Sequence, residues 1–166
     1  MAETKKASGI KKLVLDVATS KSDALDPTVF KEIKEICRRD ESAIGRAFDA
    51  ILTQLSKPNA AIRLNCWRLV ERLFDRSHAF RLRAVDRLEA LTQLAVGTDP
   101  GKPLPPPKAA ASRLQTDAIR AVKDWVERFG PGYPQLRVSY VVLQRTVDFT
   151  SLTLGTTAFV FLNRKF

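Results

Sequence analysis

Histidine, cysteine and methionine are nearly missing from this chain of 166 residues, which holds one, two and one of them. The scarcity excludes much chemistry. A Ser–His–Asp triad or a histidine-based metal site needs partners that the single His78 lacks. Beside a helix start, it reads as a packing or capping residue. Cys37 and Cys66 form no CxxC pair and sit on apolar stripes, as small core residues do. So few thiols suit a reduced, intracellular compartment. No run of about 18 apolar residues is present, so no membrane span is expected. The basic start MAETKKASGIKKLVLDV has an apolar run broken by Asp16 and does not read as a secretory signal. GTDPGK at 97–102 has three residues between its glycines where a phosphate loop needs four. Pro103 stands where Ser or Thr would hold magnesium. The expectation is a non-enzyme with no cofactor, no metal and no small-molecule substrate.

Charge is what the chain does have. Lys and Arg number 28 against 18 Asp and Glu, a net of +10. Residues 1–55 carry 10 basic and 9 acidic side chains, and residues 56–166 carry 18 and 9. Most basic groups of the second part are arginines, whose planar fork suits carboxylates and phosphates. An acidic partner follows: an acidic protein face, a nucleic-acid backbone or anionic lipid.

Helical periodicity runs through nearly the whole chain. A weak first helix covers about 8–18, with Ile10, Leu13, Val14 and Val17 on one side. Asp26-Pro27 is an N-cap followed by proline at the first helical position. Phe30, Ile33, Ile36 and Cys37 follow. Asp40 precedes the cleanest stripe: Ile44, Ala47, Phe48, Ile51, Leu52 and Leu55. The fourth helix starts near Asn59 and is apolar on two faces, with Ile62, Cys66, Leu69, Val70 and Leu73 on one and Trp67 and Phe74 on another. A helix of that kind lies between neighbours. Ser77 starts a fifth helix reaching Ala95, which Gly97 ends. A sixth covers 108–129, with Leu114, Ala118, Ala121, Val122, Trp125 and Phe129 inward. A seventh covers 135–144. The fold class expected is all-α, about seven helices stacked as a superhelix.

The proline-rich stretch at 97–107 precedes the sixth helix. It reads as a stiff polyproline spacer of about 3 Å per residue. PLPPPK also matches a ligand pattern of SH3 domains, which chance supplies often. Two basic sets could bind a partner. Arg68, Arg72 and Arg76 recur every four residues on the fourth helix, and Arg83 and Arg87 do so on the fifth. Lys108, Arg113, Arg120, Lys123 and Arg128 form a looser set on the sixth. Solvated ion pairs are the plain alternative, with Glu71 and Asp75 close enough to take part. No aromatics interleave with these arginines as stacking platforms for single-stranded nucleic acid.

IRLNCWRLVERLFDRSHAFR, VGTDPGKPLPPPKAAASRL and AIRAVKDWVERFGPGY, in that order, together with EIKEICRRD, resemble the N-terminal domain of the UV-stimulated scaffold protein A family. The resemblance covers about 28–147. It implies a VHS/ENTH-like right-handed superhelix over 1–149. It also implies a nuclear, chromatin-associated, non-enzymatic scaffold in transcription-coupled nucleotide excision repair. Such scaffolds join stalled RNA polymerase II to the Cockayne syndrome A ubiquitin-ligase subunit. They recruit TFIIH and a ubiquitin-specific protease, here through regions this chain lacks. On that basis the docking surface is expected on the outward side of the sixth helix, at Arg113, Arg120, Lys123 and Arg128. The Arg68, Arg72, Arg76, Arg83 and Arg87 ridge comes second. From about 150, TSLTLGTTAFVFLNRKF departs from the family and reads as a disordered or altered end. Two other functions fit the same patterns: a VHS/ENTH-type trafficking adaptor, and a basic helical domain with weak, non-specific affinity for nucleic acid.

Overall fold

The computed structural model describes residues 2–154, with side chains from 9 to 148. Among the described residues the chain is all-α. The helices are α1 (Ala2–Ala18), α2 (Pro27–Arg39), α3 (Ser42–Leu55), α4 (Ala60–Arg76), α5 (His78–Asp86), α6 (Leu88–Val96), α7 (Lys108–Phe129) and α8 (Pro134–Leu154), with a 3-10 turn at Gly130–Gly132 before α8.

Local chemistry sets most of the helix ends. Asp26 Oδ1 accepts from the Thr28 amide at 2.8 Å, with Pro27 in the first turn. Asn59 Oδ1 accepts from the Ala61 and Ile62 amides at 2.9 and 3.3 Å, and Ser77 Oγ from Phe80 N at 3.1 Å. Asp40 accepts from Ser42 and Arg46, and these bonds hold its carboxyl down at about 2. The doubly apolar α4 lies at the centre, with α1 and α3 to one side and α7 to the other; α8 packs on α7. Its Cys66, Trp67, Leu69, Val70 and Phe74 are wholly buried.

Four features differ from the sequence reading. The fifth helix is two, so eight helices stand where about seven were expected. The chain bends at Arg87 (φ −114°, ψ 25°). The bend lets α5 face α3 and α4 while α6 faces α7, which one straight helix would not allow. The first helix begins at Ala2 instead of about position 8.

The proline stretch, now before the seventh helix, is folded and not a stretched rod. Gln93 accepts from Thr98 Oγ1 and Asp99 N at 2.6 and 2.7 Å and donates to Lys102 O at 3.2 Å. Asp99 closes a turn on Gly101 and Lys102. Pro106 O takes the Ala60 amide at 2.9 Å, filling a vacancy at the start of α4. Leu104 lies against Gly97, whose left-handed φ of 71° ends α6. The middle of the stretch is thus committed to the fold.

α8 extends ten residues past the expected end at 144. Leu136, Tyr140, Leu143 and Val147 pack on the core, and this burial carries the helix past position 144. The helix crosses position 149 unbroken. Of the tail expected at 150–166, residues 155–166 lie outside the described residues.

Candidate functional site

α4 and α7 leave an open groove of about 430 Å³ between them. From α4 come Arg68, Glu71 and Asp75, three and four residues apart and so on one side. From α7 come Arg113, Asp117, Arg120, Asp124 and Arg128, whose charge alternates along one face for about 22 Å. Four arginines meet four carboxylates here. The basic surface expected from composition is locally balanced.

The pairs are specific. Arg113 Nε donates to Asp117 at 3.3 Å, and Arg120 Nη1 lies 3.6 Å from the other Asp117 oxygen. Arg128 donates to Asp124 at 2.9 Å through Nε and crosses the seam to Asp75 through Nη2. Arg68 donates to Asn65 at 3.1 Å, and Asn65 in turn holds the carbonyls of Ala18 and Ser20 at the end of α1. Beneath the charges lie Trp67, Phe74 and Trp125, all buried as core. Trp67 Nε1–H donates to Glu71 at 3.0 Å. Burial nonetheless pushes the Glu71 carboxyl up to about 7, helped by Asp117 and Asp75.

Chemically, such a groove can pair with charges of both signs on a facing surface. The Arg113 and Arg120 side chains are each 66% exposed. Exposed pairs are worth about 0–1 kcal/mol, so exchanging one for a partner's carboxylate costs little, while the alternating signs set the register.

The structure brings Arg68, Arg113, Arg120 and Arg128 into this one groove. The half-buried Lys123 is not among its lining residues. The second expected set does not form one ridge. The Arg72 guanidinium sits 5.1 Å over the Phe30 ring on α2, and Arg83 lies against Gly45 of α3. Arg76 and Arg87 are exposed at the ends of α4 and α5. Asp117 and Asp124 are the groove residues not singled out from sequence; their spacing of four and three from the α7 arginines was the available signal.

The remaining reactive groups lie elsewhere. Burial pushes the Cys37 and Cys66 thiols up to about 11 and 12, so both stay protonated. His78 is exposed and shares a hydrogen bond of 3.1 Å with Tyr133 Oη. Among the described residues no group of His, Cys, Asp or Glu could hold a metal ion, and no helix is long and apolar enough to cross a membrane.

Comparison with known proteins bears on what the groove serves. The family profile described as the UVSSA N-terminal domain matches residues 6–147. UV-stimulated scaffold protein A of Mus musculus is 38% identical over 151 residues, 90% of this chain and 21% of that protein. The Bos taurus protein of that name is 35% identical over 90% of this chain and 22% of its own length. A homolog from Arabidopsis thaliana is 28% identical over 81% of this chain and 20% of its own. The chain therefore spans about a fifth of the length of these relatives. With an all-α fold, the matched motifs in order and a profile match over most of its length, the chain belongs to the UV-stimulated scaffold protein A N-terminal domain family.

Proposed function

We propose that this chain is a non-enzymatic docking module of a UV-response scaffold. It acts in transcription-coupled nucleotide excision repair, on chromatin in the nucleus. It joins stalled RNA polymerase II to the Cockayne syndrome A ubiquitin-ligase subunit through the α4–α7 groove, and the polar face of α7 is the primary contact. Recruitment of TFIIH and of a ubiquitin-specific protease belongs to parts of the scaffold beyond the matched region. The observation that carries the reading is the α7 face itself: alternating Arg and Asp, with Arg113 and Arg120 well exposed, above the buried Trp125. Charge-balanced grooves suit folded protein partners, which present both signs. A phosphate backbone presents one.

The test is the affinity of this chain for the purified Cockayne syndrome A subunit at low and moderate salt. Saturable binding that survives moderate salt and weakens in Arg120→Glu supports the proposal. Binding that vanishes with salt and is matched by plain DNA supports a basic nucleic-acid-binding domain instead. Binding only to ubiquitin, sorting peptides or phosphoinositide vesicles supports a trafficking adaptor.

A further inference from the structure

Helix α8 is apolar on two sides, yet among the described residues only one is covered. Leu136 and Leu143 are buried, and Tyr140 and Val147 pack beside them. On the other side Val138, Val141 and Val142 are 66%, 40% and 52% exposed. Single exposed valines are ordinary. Three at i, i+3 and i+4 form a face, and here they line an open groove of about 620 Å³ together with Pro134, one turn earlier on α8, and Gly130 and Pro131 of the 3-10 turn at its end. The two prolines stiffen that end, so little order is lost when it is covered.

The rim is charged with one sign. Arg137 and Arg145 border the valines, eight residues and about 12 Å apart along the helix. Among the described residues no carboxylate lines the groove. Neither arginine is ion-paired among the described residues, in contrast to the α4–α7 groove, where every lining arginine except Arg68 has an acidic neighbour within 4 Å. Glu127 and Asp148 act on Tyr140 on the inward side; Asp148 itself is exposed, seven residues after Val141 and so one turn past Arg145 at the end of the groove, outside its lining.

We propose that this groove docks an amphipathic helical segment of a partner protein. Its apolar residues at i, i+3 and i+4 cover Val138, Val141 and Val142, and carboxylates about two turns apart pair with Arg137 and Arg145. A second copy of this chain is a poor occupant, because an antiparallel α8 pair would set Arg137 of one against Arg145 of the other. The surface is separate from the α4–α7 groove and stands whether or not that groove serves the function proposed above. Together the two would let one small domain hold two partners.

The test uses the full chain and two synthetic helical peptides with the same apolar face. One carries Glu and the other Lys at the two positions that would meet the arginines. Fluorescence anisotropy is expected to show saturable binding of the Glu peptide, about tenfold tighter than the Lys peptide, since two rim pairs change from attraction to repulsion. Val142→Glu, at an exposed position, should keep the helical circular dichroism and lose the binding. Arg137→Glu with Arg145→Glu should reverse the preference between the peptides. Equal binding of both peptides, or no binding of either, overturns the proposal. A dimer in sedimentation that Val142→Glu dissolves assigns the face to a second copy and overturns it as well. So does Glu-peptide binding that appears only after residues 155–166 are deleted, which assigns the face to the chain's own end.

Discussion

Phe74 of α4 and Trp125 of α7 stack face to face, their ring centroids 3.8 Å apart and their planes 12° from parallel. Trp67 approaches the same indole at 5.8 Å and Phe129 closes on Phe74 edge-on at 5.7 Å. These four rings join the central helix to the helix that carries the candidate docking face. The groove above them is as rigid as this stack, which couples the core directly to the function proposed.

Removing the stack should therefore loosen the site as well as the fold. Trp125→Ala is expected to cost about 3–5 kcal/mol, read as a lower midpoint in urea unfolding. Trp125→Phe, which keeps a ring against Phe74, should recover a good part of the loss. An unchanged midpoint for Trp125→Ala would show that α7 does not dock through this ring.

Arg120→Glu separates binding from folding. The side chain is 66% exposed and its partner Asp117 also holds Arg113. The change should alter stability by no more than about 1 kcal/mol, as a reversed surface pair does. Affinity for the acidic or mixed-charge partner should fall. Thermal melting and titration on the same preparation check both halves, and a fold that melts early would reassign Arg120 to the structure.

Glu71 predicts the pH response. Its carboxyl rises from 4.5 to about 7 in the folded chain, through burial first and then through Asp117 and Asp75. The folded state thus holds the proton more tightly than the unfolded state. This contribution to stability is fully present below about pH 4.5 and is lost as pH rises through about 7. Glu71→Gln keeps an oxygen for the Trp67 N–H and removes the titration. The variant should melt higher than the parent at pH 8 and show a flatter stability profile between 4.5 and 7. Parallel profiles for the two proteins would refute the assignment.

Gly97→Ala tests the folded proline stretch. The backbone there has φ of 71°, and an added Cβ would lie 3.2 Å from the Leu104 side chain and 3.3 Å from its amide nitrogen. A loss of about 1–2 kcal/mol is expected from the left-handed backbone, with more as Leu104 gives way. Hydrogen exchange at the Ala60 amide, which Pro106 O holds, should speed up in the same variant. A stretch that merely spans a gap would keep the backbone cost and leave exchange at the Ala60 amide unchanged.

Much of this architecture is written in residue order. The stripes of α3 and α4, the Asp26, Asn59 and Ser77 caps, the Gly97 stop and the core placement of both tryptophans follow from spacing and local hydrogen bonding alone. These features depend on neighbours within four or five residues, so periodicity and capping chemistry suffice to read them. Family membership was likewise legible, because several separated motifs stand in order.

Packing decided the rest. The bend at Arg87 exists because the apolar residues on its two sides face different neighbours. α8 runs past position 144 because Leu143 and Val147 pack on the core. The proline stretch is folded because Gln93 of α6 and Ala60 of α4 bond to it and its own Leu104 packs back on Gly97. Arg128 and Asp75 meet across 53 residues of chain, so a set of arginines that composition shows as a basic excess becomes part of a groove of mixed charge. Which charges meet is a matter of which helices lie side by side. That is settled by the burial of side chains on their opposite faces, and no local pattern contains it.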